Sequence, residues 1–156
     1  MIPKLLYNAL SRALVQPVYR QFRGLTIGTR TAVFDSQERV LLVRHSYSPG
    51  WHFPGGGVER GETVYAAAIR ELREEAAVEA REAPVLHGIF DASDQFPGDH
   101  VCCFVLREFS RGDWKPSAEI IDAQFFEAGN LPETASGGTR RRLAEIAGQA
   151  PIAHQW

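Results

Sequence analysis

Residues 56–78 read GGVERGETVYAAAIRELREEAAV, a glycine loop running into a helix-forming segment that crowds Glu71, Glu74 and Glu75 beside Arg70. At about 100° of rotation per residue these three carboxylates fall within a third of a turn, so one helix face carries all of them. Like charges at this spacing cost an exposed helix a few tenths of a kcal/mol, so such an edge is best tolerated beside a cation. Carboxylate oxygens suit a hard divalent ion such as Mg2+ or Mn2+, which commonly also contacts substrate phosphates. Tyr65, Ile69, Leu72 and Ala76 recur at spacings of three and four, which predicts a core stripe on the side away from the carboxylates. The small side chains of Ala67 and Ala68 are expected on the chemical side, leaving space above the carboxylates. Arg70 precedes Glu74 by four positions and can pair with it. Glu62 lies where the chain enters the helix, near the positive end of its dipole. Gly55, Gly56 and Gly57 permit the close backbone approach that a carbonyl or amide needs to reach a metal or a phosphate.

These residues match a long pattern of fixed spacing, G-x(5)-E-x(7)-R-E-U-x-E-E-x-G-U with U aliphatic, and the segment thereby resembles the Nudix box. Gly56, Glu62, Arg70, Glu71, Leu72, Glu74, Glu75 and Val78 fit in register. Ala77 departs from it, standing where the family has glycine near the helix C-terminus. A left-handed residue is often wanted there, so Ala77 predicts a helix that continues or ends differently. The resemblance implies metal-dependent hydrolysis of a nucleoside diphosphate linked to another moiety, by attack of water on phosphorus. It also implies ligands for Mg2+ or Mn2+ at Glu71, Glu74, Glu75 and the Gly56 carbonyl, supported by Glu62 and Arg70. Many members add a carboxylate from a later loop, and Glu119, in the run 117–120 before a strand, is placed for that role. The metals neutralise charge on the diphosphate and lower the pKa of the attacking water, while a carboxylate accepts its proton. Glu71 is favoured as that base, with Glu119 the alternative. The complete set of box carboxylates favours an enzyme over a catalytically silent nucleotide-binding sensor of the same fold.

The chain around this segment has 156 residues, enough for one domain with a sizeable core. A hydrophobic content of 44% and a charged content of 23% describe an ordinary soluble protein, and the net charge of -2 argues against a general DNA-binding surface. Cys102 and Cys103 are adjacent in an apolar run, so they point to opposite faces of a strand and read as buried, reduced cysteines of a cytoplasmic protein. The five histidines form no zinc motif. Along the chain, residues 25–34 and 40–43 read as strands joined by a turn at 35–39, a hairpin. Further strands are expected near 82–90, 100–108 and 123–127, and a last helix within 137–148 starting around Thr139. Mixed strands between helices give an α/β/α sandwich with a mixed β-sheet, the architecture the Nudix resemblance also implies.

The domain is expected to occupy residues 25–156, after an N-terminal amphipathic extension at 1–24. In that extension Ile2, Leu5, Leu6, Ala9, Leu10, Ala13 and Leu14 form a helical apolar stripe among basic residues. A membrane-surface helix, a transit peptide, and a helix packed on its own domain or a partner subunit all fit this pattern. Pro17 favours the packed helix, and a homodimer contact is one form of it. No apolar run is long enough for a transmembrane segment. Trp51 and Phe96 lie in loop-like stretches where they can stack on a base, and His100 and Arg44 are candidate substrate contacts. Arg140, Arg141 and Arg142 read better as ordinary solvated charge.

Overall fold

The computed structural model describes residues 24–156. The extension expected before the domain, apart from Gly24, lies outside the described residues, and so does the dimer contact assigned to it. Among the described residues, seven strands and two helices follow in the order β1 (Thr26–Val33), β2 (Arg39–His45), α1 (Val64–Ala76), β3 (Val78–Ala80), β4 (Val85–Asp91), β5 (Asp99–Leu106), β6 (Phe109–Arg111), β7 (Ile120–Glu127) and α2 (Gly137–Ile146). β5 lies between β1, which it pairs in parallel, and β4, which it pairs antiparallel, so this sheet is mixed. β2 and β7 form an antiparallel pair, and the short β3 and β6 form another.

The four consecutive aliphatic residues of β2 show why the strands form a middle layer. Val40, Leu41, Leu42 and Val43 are all fully buried, which requires cover on both faces. Val40 and Leu42 join Ala32, Phe34, Phe53 and Phe90 in a core that includes Leu143 of α2. Leu41 and Val43 join Val33, Leu106 and Ile120 in a second core against Leu72 and Ala76 of α1. Each of the larger side chains contributes about 1.5–3 kcal/mol through burial, so the period-two alternation of β1 and β2 is what fixes a helix to each side of the strands.

The hairpin read from the sequence is not formed. Asp35 and Arg39 close a turn, with the Asp35 N–H donating to the Arg39 carbonyl at 3.0 Å, but only the Phe34 and Val40 bridge follows it. Beyond that point the strands part, β1 to β5 and β2 to β7, because each finds a longer apolar partner elsewhere in the chain. Between them runs the glycine loop, which is hydrogen-bonded to β1 by Thr29 N–H to Gly56 O at 2.8 Å and Thr31 N–H to Pro54 O at 2.9 Å. The preceding segment is tied to β2 through reciprocal bonds between Val43 and His52. The loop is therefore held by backbone bonds on either side.

α1 begins at its Thr63 cap, whose hydroxyl accepts from the Ala66 N–H at 3.1 Å. Its buried face differs from the stripe expected. Ala67, Ala68, Leu72, Glu75 and Ala76 are buried, whereas Tyr65 is exposed and Ile69 half-buried. The helix thus sits rotated so that small alanines approach the sheet, with Ala68 against Cys102 and Phe104. Ala67 and Ala68 make no open space above the carboxylates. The helix also stops where a glycine would stop it, because Ala77 itself adopts the left-handed conformation at φ 54 and ψ 34. β3 begins at the very next residue.

Candidate functional site

The rotation of α1 grades its three carboxylates from the interior to solvent. Glu75 is 4% exposed, Glu71 is half-buried, and the Glu74 side chain is 60% exposed. Glu75 Oε2 accepts the Gly55 N–H at 2.8 Å, which joins the helix to the glycine loop. Burial pushes the Glu75 carboxyl up to about 7, against the lowering effect of the Gly55 bond and of Arg30. Glu71 is also raised by burial, more than its contact with Arg70 offsets.

Arg70 organises the exposed half of the cluster. Its guanidinium reaches Glu62 at 2.8 Å, Glu71 at 2.7 Å, Glu74 at 3.3 Å and the Gly57 carbonyl at 3.0 Å. The Glu74 partner anticipated from spacing is the longest of these contacts. Glu62 turns back to accept the Glu59 N–H at 2.6 Å, and the hydrogen bond from Arg70 holds its carboxyl below the usual range. Gly56 packs directly on Glu71, since a Cβ at position 56 would lie 2.6 Å from Glu71 Oε1. Its carbonyl accepts from Thr29, by the N–H at 2.8 Å and by Oγ1 at 3.4 Å. The neighbouring Gly55 carbonyl accepts from Arg30 Nη1 at 2.5 Å.

Glu119 arrives from the loop before β7 and meets the box from the other side. Ser117 Oγ accepts its N–H at 3.2 Å, and its own carbonyl accepts the Ser46 N–H at 2.8 Å. Its carboxylate accepts the Tyr47 hydroxyl at 3.0 Å. One ligand atom each from His45, Glu75 and Glu119 can be chosen so that all lie within 4.8 Å of one another. His45 ends β2, where a register shift in the β7 pairing sets it opposite Ile120, and its Nε2 is 3.8 Å from Glu75 Oε1. Burial, then the nearby Arg30 and His52, push the His45 imidazole down to about 4.

The candidate substrate contacts are less gathered. Trp51 is 8% exposed and packs edge-on against Phe126 at 4.8 Å between centroids, so its ring is part of the core. Arg44 lies over that ring at 5.5 Å and pairs with Asp122 at 3.6 Å. Phe96 is 73% exposed in the loop before β5, and His100 Nδ1 lies 3.4 Å from the Gly98 carbonyl. Arg142 is no solvated charge, being fully buried against Glu145 at 2.6 Å.

Sequence reasoning missed Arg30 and Tyr47. Arg30 sits on β1 with no motif to mark it, yet it donates to the Phe53 and Gly55 carbonyls, and its charge acts on both His45 and Glu75. A cavity of about 360 Å³ opens beside it, lined by Arg30, Ser48, His52, Ser136, Thr139 and Arg141. The strand position itself holds the only clue, because a charged residue amid the apolar pattern of β1 needs a polar destination.

Fold and site together define a class, an α/β/α domain that presents a glycine loop and a carboxylate-bearing helix beside the ends of its central strands. Within that class the chain belongs to the NUDIX domain family, whose sequence model matches residues 24–145. An ADP-ribose pyrophosphatase of Methanocaldococcus jannaschii is 31% identical over 107 residues, covering 66% of this chain and 63% of that protein. Human diphosphoinositol polyphosphate phosphohydrolase 2 is 37% identical over 87 residues, covering 55% of this chain and 47% of that one. The chain thus spans about half to under two thirds of the length of these relatives. Among solved structures, a MutT NUDIX hydrolase from Burkholderia pseudomallei superposes with a TM-score of 0.67 at 26% identity, covering 78% of this chain and 97% of that one. Among the described residues, no helix is long and apolar enough to cross a membrane.

Proposed function

We propose that this chain is a pyrophosphohydrolase that cleaves the diphosphate of a nucleoside diphosphate linked to another moiety, with Mg2+ or Mn2+ held by Glu71, Glu74, Glu75 and Glu119 and by the glycine loop at Gly56. The observation that carries this reading is the buried Glu75, a carboxylate with one amide donor and no lysine or arginine ion pair among the described residues. A buried anion is expensive, and a divalent ion is the partner that offsets the cost. The absence of a side chain at Gly56 fits as well, since that gap is what lets Glu71 approach the loop. When bound, the metal neutralises the diphosphate and lowers the pKa of the attacking water.

The chain's own groups do the rest. Arg70 and Glu62 hold Glu71 in place, and Glu71, whose carboxyl burial has raised, is the base that takes the proton from water. The new P–O bond forms as the bridging P–O bond breaks, giving a nucleoside monophosphate and a phosphorylated second product. Arg30 and the polar cavity beside it receive the moiety beyond the diphosphate. The relatives that act on ADP-ribose and on diphosphoinositol polyphosphates support a substrate with a diphosphate. The buried, free Cys102 and Cys103 support a reducing, cytoplasmic setting.

The test is product release from a panel of nucleoside diphosphate derivatives with Mg2+, with Mn2+ and with chelator. Turnover of at least one compound that needs metal and is nearly abolished in Glu74→Gln and Glu75→Gln is expected. Tight nucleotide binding with no turnover under any metal would make the chain a sensor instead.

A further inference from the structure

His45 is the one residue of the site whose polar atoms have been given nothing to do. Its side chain is 3% exposed, yet neither Nδ1 nor Nε2 has a hydrogen-bond partner among the described residues. Buried polar atoms are rarely left this way, since an orphaned group gives up its hydrogen bonds to water and gains none in return. The neighbouring His52 shows the ordinary solution, its Nε2 lying 3.0 Å from the Pro49 carbonyl. The placement of His45 is specific. Alternation along β2 sends Leu41, Val43 and then His45 to the α1 side, where Glu75 lies, and Tyr47 flanks its ring at 5.1 Å between centroids.

The distances suit shared coordination better than a hydrogen bond. Nε2 and Glu75 Oε1 are 3.8 Å apart, too far for a hydrogen bond. Two ligands of one ion, each bonded at about 2.0–2.2 Å, lie up to about 4.4 Å apart. Glu119 falls within 4.8 Å of both, and its exposed side chain has room to close the remainder. We propose that His45 is a nitrogen ligand of the metal site, completing a His45, Glu75 and Glu119 set that biases this chain toward Mn2+ and similar first-row ions over Mg2+. The bias follows from chemistry, because Mg2+ favours an all-oxygen shell whereas imidazole strengthens the binding of transition ions. This inference rests on the carboxylate site proposed above.

The experiment is pulsed EPR on the metal-stripped full chain loaded with Mn2+, read for modulation of the echo by directly bound nitrogen. The modulation is expected in the unaltered protein, to change pattern when the protein is made with 15N-histidine, to persist in His52→Gln and to vanish in His45→Gln. In competition titrations, the preference of His45→Gln for Mn2+ over Mg2+ is expected to fall about tenfold. Bound Mn2+ without a histidine signal overturns the proposal and leaves the carboxylate site standing. Failure of the unaltered protein to bind Mn2+ at all overturns both. Even where His45→Gln does not fold, the isotope substitution keeps the proposal falsifiable on unaltered protein, because no histidine coupling there overturns it.

Discussion

At the scale of single residues, Gly56 and Glu75 each separate stability from function. An alanine at position 56 strains no backbone, since Gly56 is not among the positive-φ glycines, but its Cβ would press on the Glu71 carboxylate at 2.6 Å. The carboxylate is the free end of a flexible side chain and can swing away. Gly56→Ala is therefore expected to keep its melting temperature within a few degrees while losing on the order of 100-fold in kcat/KM, as a misplaced group costs at a positioned site. At Glu75 the same loss of function comes with a gain in stability. Its carboxyl rises from 4.5 to about 7 on folding, so the folded state holds the proton more tightly than the unfolded chain between those values. In chelator, stability from this group is full below about pH 4.5 and falls as pH rises toward 7, by about 3 kcal/mol in total. Denaturant titrations across that range should show the decline, and Glu75→Gln should flatten it, folding more stably at pH 8 while lacking turnover. The carboxylates were legible in the sequence because a fixed spacing marks them. Arg30, Tyr47 and the buried state of Glu75 were not, because they depend on which strands meet.

Among the elements, local signals are overruled by partners far along the chain. The alternation of β1 and the apolar run of β2 were readable, and so were their boundaries to within a residue or two, but the pairing was not. A five-residue turn suggests a hairpin, while the eight-residue parallel register with β5 and the seven residues of β2 paired to β7 bury more. β3 and β6, three residues each, carry no period long enough to see. The end of α1 is the sharpest case. Ala77 lacks glycine's freedom, yet the turn is imposed by contacts from the distant β6 end, with Gly112 N–H donating to the Ala77 carbonyl at 2.8 Å. Arg111 and Trp114 also donate to the last helical carbonyls, at Ala76 and Glu75. The left-handed alanine stores about 1–2 kcal/mol, part of which a glycine returns as freedom in the unfolded chain. Ala77→Gly is thus expected to stabilise the protein by about 0.5–1 kcal/mol in urea denaturation and to leave metal-dependent activity unchanged. No gain, or a loss, would mean that position 77 is not strained.

Over the whole molecule, the strand layer is closed on the α2 side by a polar knot inside an apolar core. Arg142 donates to Glu145 at 2.6 Å and to the Gln155 carbonyl at 2.9 Å, and its guanidinium lies over the Phe90 ring at 3.9 Å. Glu145 also accepts the Ala153 N–H at 3.0 Å and meets His87 Nε2 at 3.0 Å, where His87 is the residue passed over in the β4 register. The segment 153–156 is thereby fastened along β4, with the Trp156 N–H donating to the Asp91 carbonyl at 2.8 Å. Trp156 and Arg141 then help to wall the cavity beside Arg30, so the knot links the far side of the core to the candidate site. Three adjacent arginines in a polar stretch gave no hint of this, since charge in a sequence reads as exposure until a buried carboxylate three residues on is seen to answer it. Removing one partner leaves the other charged and dry. Arg142→Ala is expected to cost about 3–5 kcal/mol, whereas Arg142→Leu combined with Glu145→Leu should cost less than the single change, because no orphaned charge remains. Arg142→Ala loses the bond to residue 155, and the double variant loses those to residues 153 and 155, so limited proteolysis should cut the C-terminal segment faster in each, with substrate KM rising more than kcat falls. If the double variant proved the less stable of the two, the pair would be a net source of stability rather than a device for seating the chain end.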